Sequence, residues 1–159
     1  MKSLKFIIVL FVFLLAGCAS SVSGNGFYYV YTVVDGDTIT LANTKNIRYI
    51  GIDTPELRKK VAGEWVWNPQ PYAVEAYNLN KRLVEGKRIR LEFDNEKTDR
   101  YGRWLAYVFV DEKMVNEELL RYGYATVYTR QPNMKYLDRL LAAEQQAKKQ
   151  RRGIWSSGK

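Results

Sequence analysis

Phe27-Tyr28-Tyr29-Val30-Tyr31-Thr32-Val33-Val34-Asp35-Gly36-Asp37-Thr38-Ile39-Thr40-Leu41-Ala42 reads as two β-strands joined by a tight turn. The first eight residues are aromatic and β-branched, types that fit a pleated, half-buried surface. Asp35-Gly36 is the strongest short hairpin signal in the chain. Thr38 to Ala42 and Ile47 to Ile52 make a second pair around the polar turn Asn43-Thr44-Lys45-Asn46. Alternation returns at Arg88-Ile89-Arg90-Leu91-Glu92-Phe93, and Trp104 to Val110 is a more fully apolar strand. Between the third and fourth strands, Ala73, Ala76, Tyr77, Asn80, Leu83 and Val84 recur at helical spacing and stop at Gly86. A short helix from Val115 to Tyr122 ends at Gly123. A longer one from Met134 sets Leu137, Leu140, Leu141, Glu144 and Ala147 along one side and ends in Lys148-Lys149-Gln150-Arg151-Arg152-Gly153. Those last cations suit the negative end of a helix dipole as well as they suit phosphate. This order predicts a mainly β fold with helices (α+β): a five-stranded antiparallel barrel of OB type with three helices. Such barrels often bind oligonucleotides or oligosaccharides.

The 159 residues include 25 Lys and Arg against 17 Asp and Glu, one Cys and no His. The missing imidazole excludes Ser-His-Asp triads, Cys-His pairs and His-ligated zinc. Chemistry must therefore use carboxylates, cations, hydroxyls or a hard metal. The formal charge of +8 suggests an anionic partner, and charge alone does not separate nucleic acid from acidic lipid or wall polymer.

The chain opens on a short basic stretch with Lys2 and Lys5, followed by an apolar run from Phe6 to Ala16 that is too short to span a bilayer. It reads as a signal-peptide hydrophobic region. Leu15-Ala16-Gly17-Cys18 looks like the lipobox of bacterial lipoproteins. Residues 1–17 are thus expected to be a cleaved lipoprotein signal, and Cys18 the acylated first residue. Residues 18–26, small and polar, form a flexible tether. Residues 27–159 form one domain. Cleavage removes Lys2 and Lys5 and no acid, so the excess falls from +8 to +6 and belongs to the mature domain. The expected location is extracytoplasmic, on a bacterial membrane, with no protein partner implied.

If the turn at residues 43–46 sets Ala42 opposite Ile47, Asp37 falls opposite Ile52, beside Asp53. Two carboxylates then converge from separate strand ends. Asp37 shares a face with Ile39 and Leu41, where an unpaired charge is costly, and Arg48 is long enough to answer it. Carboxylate and carbonyl oxygens suit a hard divalent ion such as Ca²⁺. The same residues also suit turn formers and a buried salt bridge, and spacing leaves both readings open. Thr98-Asp99-Arg100-Tyr101-Gly102-Arg103 places three charges and a Tyr around a Gly turn.

Val34-Asp35-Gly36-Asp37-Thr38, Ile47-Arg48, Asp53-Thr54-Pro55-Glu56, Thr98 to Arg103 and Met114-Val115-Asn116-Glu117, in this order and spacing, resemble the staphylococcal nuclease (thermonuclease) family. The likeness runs from about Phe27 to Trp155. It implies an OB-type barrel and a Ca²⁺-dependent phosphodiesterase acting on single- and double-stranded DNA and RNA, endonucleolytic and leaving 3′-phosphate ends. By position, the resemblance makes Asp37, Asp53 and the Thr54 carbonyl metal ligands. It makes Glu56 the group that orients or deprotonates water, and Arg48 and Arg103 the holders of the scissile phosphate. Tyr101 and Tyr128 match aromatics around the nucleotide pocket, which makes them substrate-binding, with ordinary barrel-edge packing as the alternative for either. Two segments depart from the family. Ala125 to Asn133 is one residue shorter, with Arg130 where the prototype has a second Tyr. After Glu56 come Trp65, Trp67, Pro69 and Pro71, whose rings suit core cover, or contact with single-stranded substrate. A basic domain with aromatics also suits a non-catalytic nucleic-acid binder; the full set of five charged site positions favours an enzyme.

Overall fold

The structure, a computed structural model, describes residues 26–156. The leader, Cys18 and the tether up to residue 25 lie outside the described residues. β1 (Phe27–Val33) pairs antiparallel with β2 (Thr38–Leu41) across the Asp35-Gly36 turn. The chain continues through β3 (Asn46–Tyr49), β4 (Ile52–Asp53), β5 (Arg58–Val61), β6 (Glu64–Trp67), α1 (Ala73–Val84), β7 (Arg88–Glu92), β8 (Trp104–Val110), β9 (Lys113–Met114), α2 (Val115–Arg121), β10 (Thr126–Val127) and α3 (Leu137–Lys149).

The barrel strands follow the order β3-β2-β1-β7-β8, and β3 also pairs with β8 to close the ring. That last pair is parallel, Arg48 opposite Leu105, which corrects the expectation of a wholly antiparallel barrel. Five strands in a ring cannot alternate direction at every junction, so one parallel pair is a geometric necessity. The inward residues Val30, Ile39, Leu41, Ile47, Ile89, Leu91 and Val108 fill the interior and are essentially without exposure. α1 has the predicted bounds. Its C-terminal carbonyls at Arg82 and Leu83 accept bonds from Lys87 Nζ at 2.8 and 2.9 Å, a cation on the negative end of the helix.

Three expectations are corrected. The register of β2 on β3 places Thr40 opposite Asn46 and Thr38 opposite Arg48, so Ala42 does not face Ile47. Leu41 begins a turn in which its carbonyl accepts the Thr44 N–H, and Ala42 is left exposed. Asp37 consequently lies opposite Tyr49, whose N–H donates to the Asp37 carbonyl at 2.9 Å. The expected strand from Ile47 to Ile52 also breaks, because Gly51 takes φ +82° and redirects the chain. α3 starts at Leu137, three residues late, and buries Leu140, Ala143, Glu144 and Ala147 while Leu141 faces out.

Candidate active site

The turn at Gly51 brings residues 52–54 back against the hairpin turn at 35–37. Asp37 Oδ2 accepts the Thr54 N–H at 2.9 Å and the Thr54 hydroxyl at 3.0 Å. The two carboxylates do converge, by a different route from the expected register. Arg48 spans them: Nη1 pairs with Asp37 Oδ2, and Nη2 donates to Asp53 Oδ1 at 2.6 Å. Asp37 is almost fully buried, whereas the Asp53 side chain is half exposed. Burial pushes the Asp37 carboxyl up to about 6, against the pull of Arg48 and the Thr54 bonds. Burial also raises Asp53, opposed by Arg48.

Side chains that the sequence reading passed over hold this constellation. Tyr49 OH donates to Asn80 Oδ1 at 2.8 Å, and Asn80 Nδ2 donates to the Asp35 carbonyl at 3.1 Å, tying the turn to α1. A fully buried Asn among the apolar positions of a helix is the signal that could have found it. Glu144 Oε1 accepts the Val127 N–H at 2.9 Å, so α3 fixes β10, which pairs with β4 through Thr126 opposite Asp53. Asn116 donates to the Ile50 carbonyl at 2.8 Å and accepts the Val108 N–H at 3.0 Å, anchoring the bend before Gly51.

Arg48 also lines an open pocket of about 410 Å³ with Arg103, Tyr101, Tyr128, Arg100 and Arg130. Arg103 is oriented by Asp99, which accepts its Nε at 2.8 Å and its N–H at 3.0 Å. Gly102, at φ +78°, closes that turn. Burial would raise Asp99, but the bonds from Arg103 outweigh it and hold the carboxyl below its usual value. Tyr101 and Tyr128 are 69% and 59% exposed, which removes the packing role and leaves both rings on the pocket wall. The Tyr101 ring lies 4.8 Å from the Arg100 guanidinium and 5.7 Å from that of Arg103. Arg130 adds a further cation to the lining of the same pocket.

Glu56 lines a separate groove and makes no ion pair among the described residues. Its backbone is locked to Gln70, its N–H donating to Gln70 Oε1 at 2.8 Å and its carbonyl accepting the Gln70 N–H at 2.9 Å. Burial raises its carboxyl, and the charges of Asp37 and Asp53 raise it further, against Arg48 and Arg103. The other four charged positions thus all act on the Glu56 carboxyl.

The donors fit a hard cation. Among the described residues, Asp37 Oδ1 accepts one bond, from Thr38 Oγ1 at 3.2 Å, which leaves lone-pair capacity on that oxygen. Asp53 presents its carboxylate at the rim, and both already share one cationic partner. No three His, Cys, Asp or Glu side chains gather among the described residues, so an ion held by these two carboxylates would draw its other oxygens from backbone carbonyls, substrate or water.

Paired carboxylates bridged by Arg48, a pocket of about 410 Å³ that Arg48 and Arg103 both line, and a further carboxylate at Glu56 in its own groove are groups that suit phosphodiester cleavage. Residues 46–157 match the family model described as staphylococcal nuclease homologue. The chain is 41% identical over 133 residues to a thermonuclease of Staphylococcus hyicus, covering 82% of this chain and 76% of the relative. It is 44% identical over 128 residues to endonuclease YncB of Bacillus subtilis, covering 77% of this chain and 58% of the relative. It is 45% identical over 128 residues to the SPbeta prophage-derived endonuclease YokF of the same organism, of which it spans 42%. The chain belongs to the staphylococcal nuclease family, and is a nuclease.

Proposed function

We propose that the chain is a Ca²⁺-dependent endonuclease acting on single- and double-stranded DNA and RNA, leaving 3′-phosphate ends and working outside the cytoplasm on a lipid anchor. The observation that carries this reading is the reach of Arg48: one guanidinium touches both carboxylates and lines the same pocket as Arg103. Asp37, Asp53 and the Thr54 carbonyl are the residues that would hold the ion. Ca²⁺ bound there supplies a Lewis acid for a phosphoryl oxygen.

Arg48 and Arg103 grip the nonbridging oxygens of the scissile phosphate, where negative charge accumulates as water adds in line. Arg is permanently protonated, so Arg103 stabilises charge and does not donate a proton. Glu56 takes the proton of the attacking water. Burial and the nearby carboxylates of Asp37 and Asp53 raise its pKa, which makes it a better base than an ordinary carboxylate. The P–O5′ bond breaks as the new P–O bond forms, and the departing O5′ is protonated from solvent. Tyr101 and Tyr128 seat the nucleotide by ring contact and phenol hydrogen bonds.

Glu56→Gln tests this reading. The variant should fold and bind oligonucleotide as the parent does while turnover falls by about 10²-fold or more. Turnover within threefold of the parent removes Glu56 from the chemistry. A parent that binds DNA and RNA without hydrolysing either with Ca²⁺ supports the non-catalytic reading instead. The anchor rests on the basic stretch, the apolar run and Leu15-Ala16-Gly17-Cys18. Intact mass of membrane-extracted protein should show cleavage before Cys18 with acyl chains on it, and an unmodified Cys18 would exclude lipidation.

A further inference from the structure

The segment after Glu56 does not cover the core. β5 and β6 form a separate two-stranded ribbon in which all eight residues are exposed, Trp65 by 65% and Trp67 by 59%. Its register pairs Arg58 with Trp67 and Lys60 with Trp65. Directly paired residues share a face, and side chains alternate along a strand. One face therefore carries Arg58, Lys60, Trp65 and Trp67, two cations interleaved with two indoles. The other face carries Lys59, Val61, Glu64 and Val66.

Two large aromatic rings open to water are unusual unless something covers them. Cations at alternate positions select a partner with regularly spaced anions and flat apolar groups. Single-stranded nucleic acid offers both, since its bases are free to stack and its phosphates lie alongside. The ribbon also continues the active site. It leaves directly from Glu56, and Glu56, Arg58, Lys60 and Trp65 line one groove of about 600 Å³. The returning strand is pinned to the same place, with Asn68 N–H donating to the Leu57 carbonyl at 3.1 Å.

We propose that the β5–β6 ribbon is a stacking arm for single-stranded nucleic acid, taking bases beyond the scissile phosphate onto Trp65 and Trp67 and their phosphates onto Arg58 and Lys60. The inference rests on the nuclease reading for the direction of the strand toward Glu56, and its binding chemistry stands apart from catalysis. A duplex keeps its base faces stacked inside, so the arm favours single strands.

The test uses the full-length protein with chelator present, so that binding is read without turnover. Anisotropy of a labelled 20-nucleotide oligo-dT should show a Kd at least about tenfold weaker for Trp65→Ala/Trp67→Ala, with Trp65→Phe/Trp67→Phe recovering most of it. Affinity for a 20-base-pair blunt duplex should change by less than about threefold. Arg58→Ala/Lys60→Ala should flatten the salt dependence of oligo-dT binding by about 1 to 1.5 in log–log slope. Both residue pairs are exposed, and circular dichroism checks that the fold is kept. Oligo-dT affinity within twofold of the parent for the double Trp variant overturns the proposal, as does equal loss on the duplex. Binding of the ribbon to anionic vesicles, with no quenching of tryptophan by oligo-dT, assigns it to a membrane surface and also overturns it. Unimpaired hydrolysis in chelator, with the anisotropy result as expected, would remove the metal reading and leave the arm standing.

Discussion

Replacing Gly36 by Ala probes the contact on which the carboxylate cluster depends. A Cβ built on Gly36 lies 2.5 Å from Thr54 Oγ1, 2.7 Å from its Cβ and 2.8 Å from its Cγ2. Gly36 is not among the positive-φ glycines, so the substitution tests space and not backbone conformation. All three blocking atoms belong to the residue that donates twice to Asp37. The methyl is accommodated only if Thr54 retreats from the turn, stretching both of those bonds. Overpacking costs about 1–3 kcal/mol. Weakening two bonds to a buried carboxylate adds about 1.5–3 kcal/mol. A total of about 2.5–6 kcal/mol lowers a urea midpoint by about 1.3–3 M at a slope near 2 kcal/mol/M. Gly63→Ala is the control: φ is +93° with nothing within 4 Å of the new methyl, so only backbone strain of about 1–2 kcal/mol is expected. A Gly36→Ala midpoint within about 0.3 M of the parent would refute the close packing of Thr54 on the turn.

Other substitutions probe what holds the site. Asn116→Ala leaves the Val108 N–H and the Ile50 carbonyl buried without their partner and should cost about 2–5 kcal/mol in chemical denaturation; a loss under about 1 kcal/mol would mean the bend before Gly51 is held by other contacts. Asp99→Ala releases Arg103 and should lower kcat by about 10- to 100-fold with little change in melting temperature; an unchanged kcat would show that Arg103 needs no orienting partner. At Glu117 burial raises the carboxyl, but bonds from Arg139 and Arg121 outweigh it and lower the pKa. A carboxyl depressed in the folded state stabilises above its unfolded value, about 4.3, and that stability is lost as pH falls through the folded value. Glu117→Gln should therefore lower stability at pH 7 and flatten its decline below about pH 5, read as urea midpoints from pH 3 to 7; identical pH profiles would contradict the ion pairs linking α2 to α3.

Where a segment packs against the barrel interior, its sequence announced it. α1 and β8 have the bounds that apolar spacing implies, because burial imposes the 3.6-residue period on one and the apolar run on the other. The β5–β6 ribbon was missed for the same reason: with both faces in water, Arg58-Lys59-Lys60 and Trp65-Val66-Trp67 carry no core-facing alternation. Ala62-Gly63 between them, both at positive φ, was the available turn signal. The register at Asp37 depended on how the turn after Leu41 spends its residues, which composition does not encode. The ordered set of charges was readable, and the fold brings Asp37, Arg48 and Asp53 of that set into contact. Their supports were not, since Asn80, Glu144 and Asn116 act through single hydrogen bonds between distant segments.

The proposed reaction needs a metal held by Asp37 and Asp53, with Arg48 and Arg103 on the phosphate and Glu56 on the attacking water. Hydrolysis of a labelled single-stranded oligonucleotide by the full-length protein, followed with Ca²⁺, then with chelator, then with Ca²⁺ restored, tests it most directly. The expected result is cleavage that stops on chelation and returns with the ion. Cleavage that continues unchanged in chelator would contradict it.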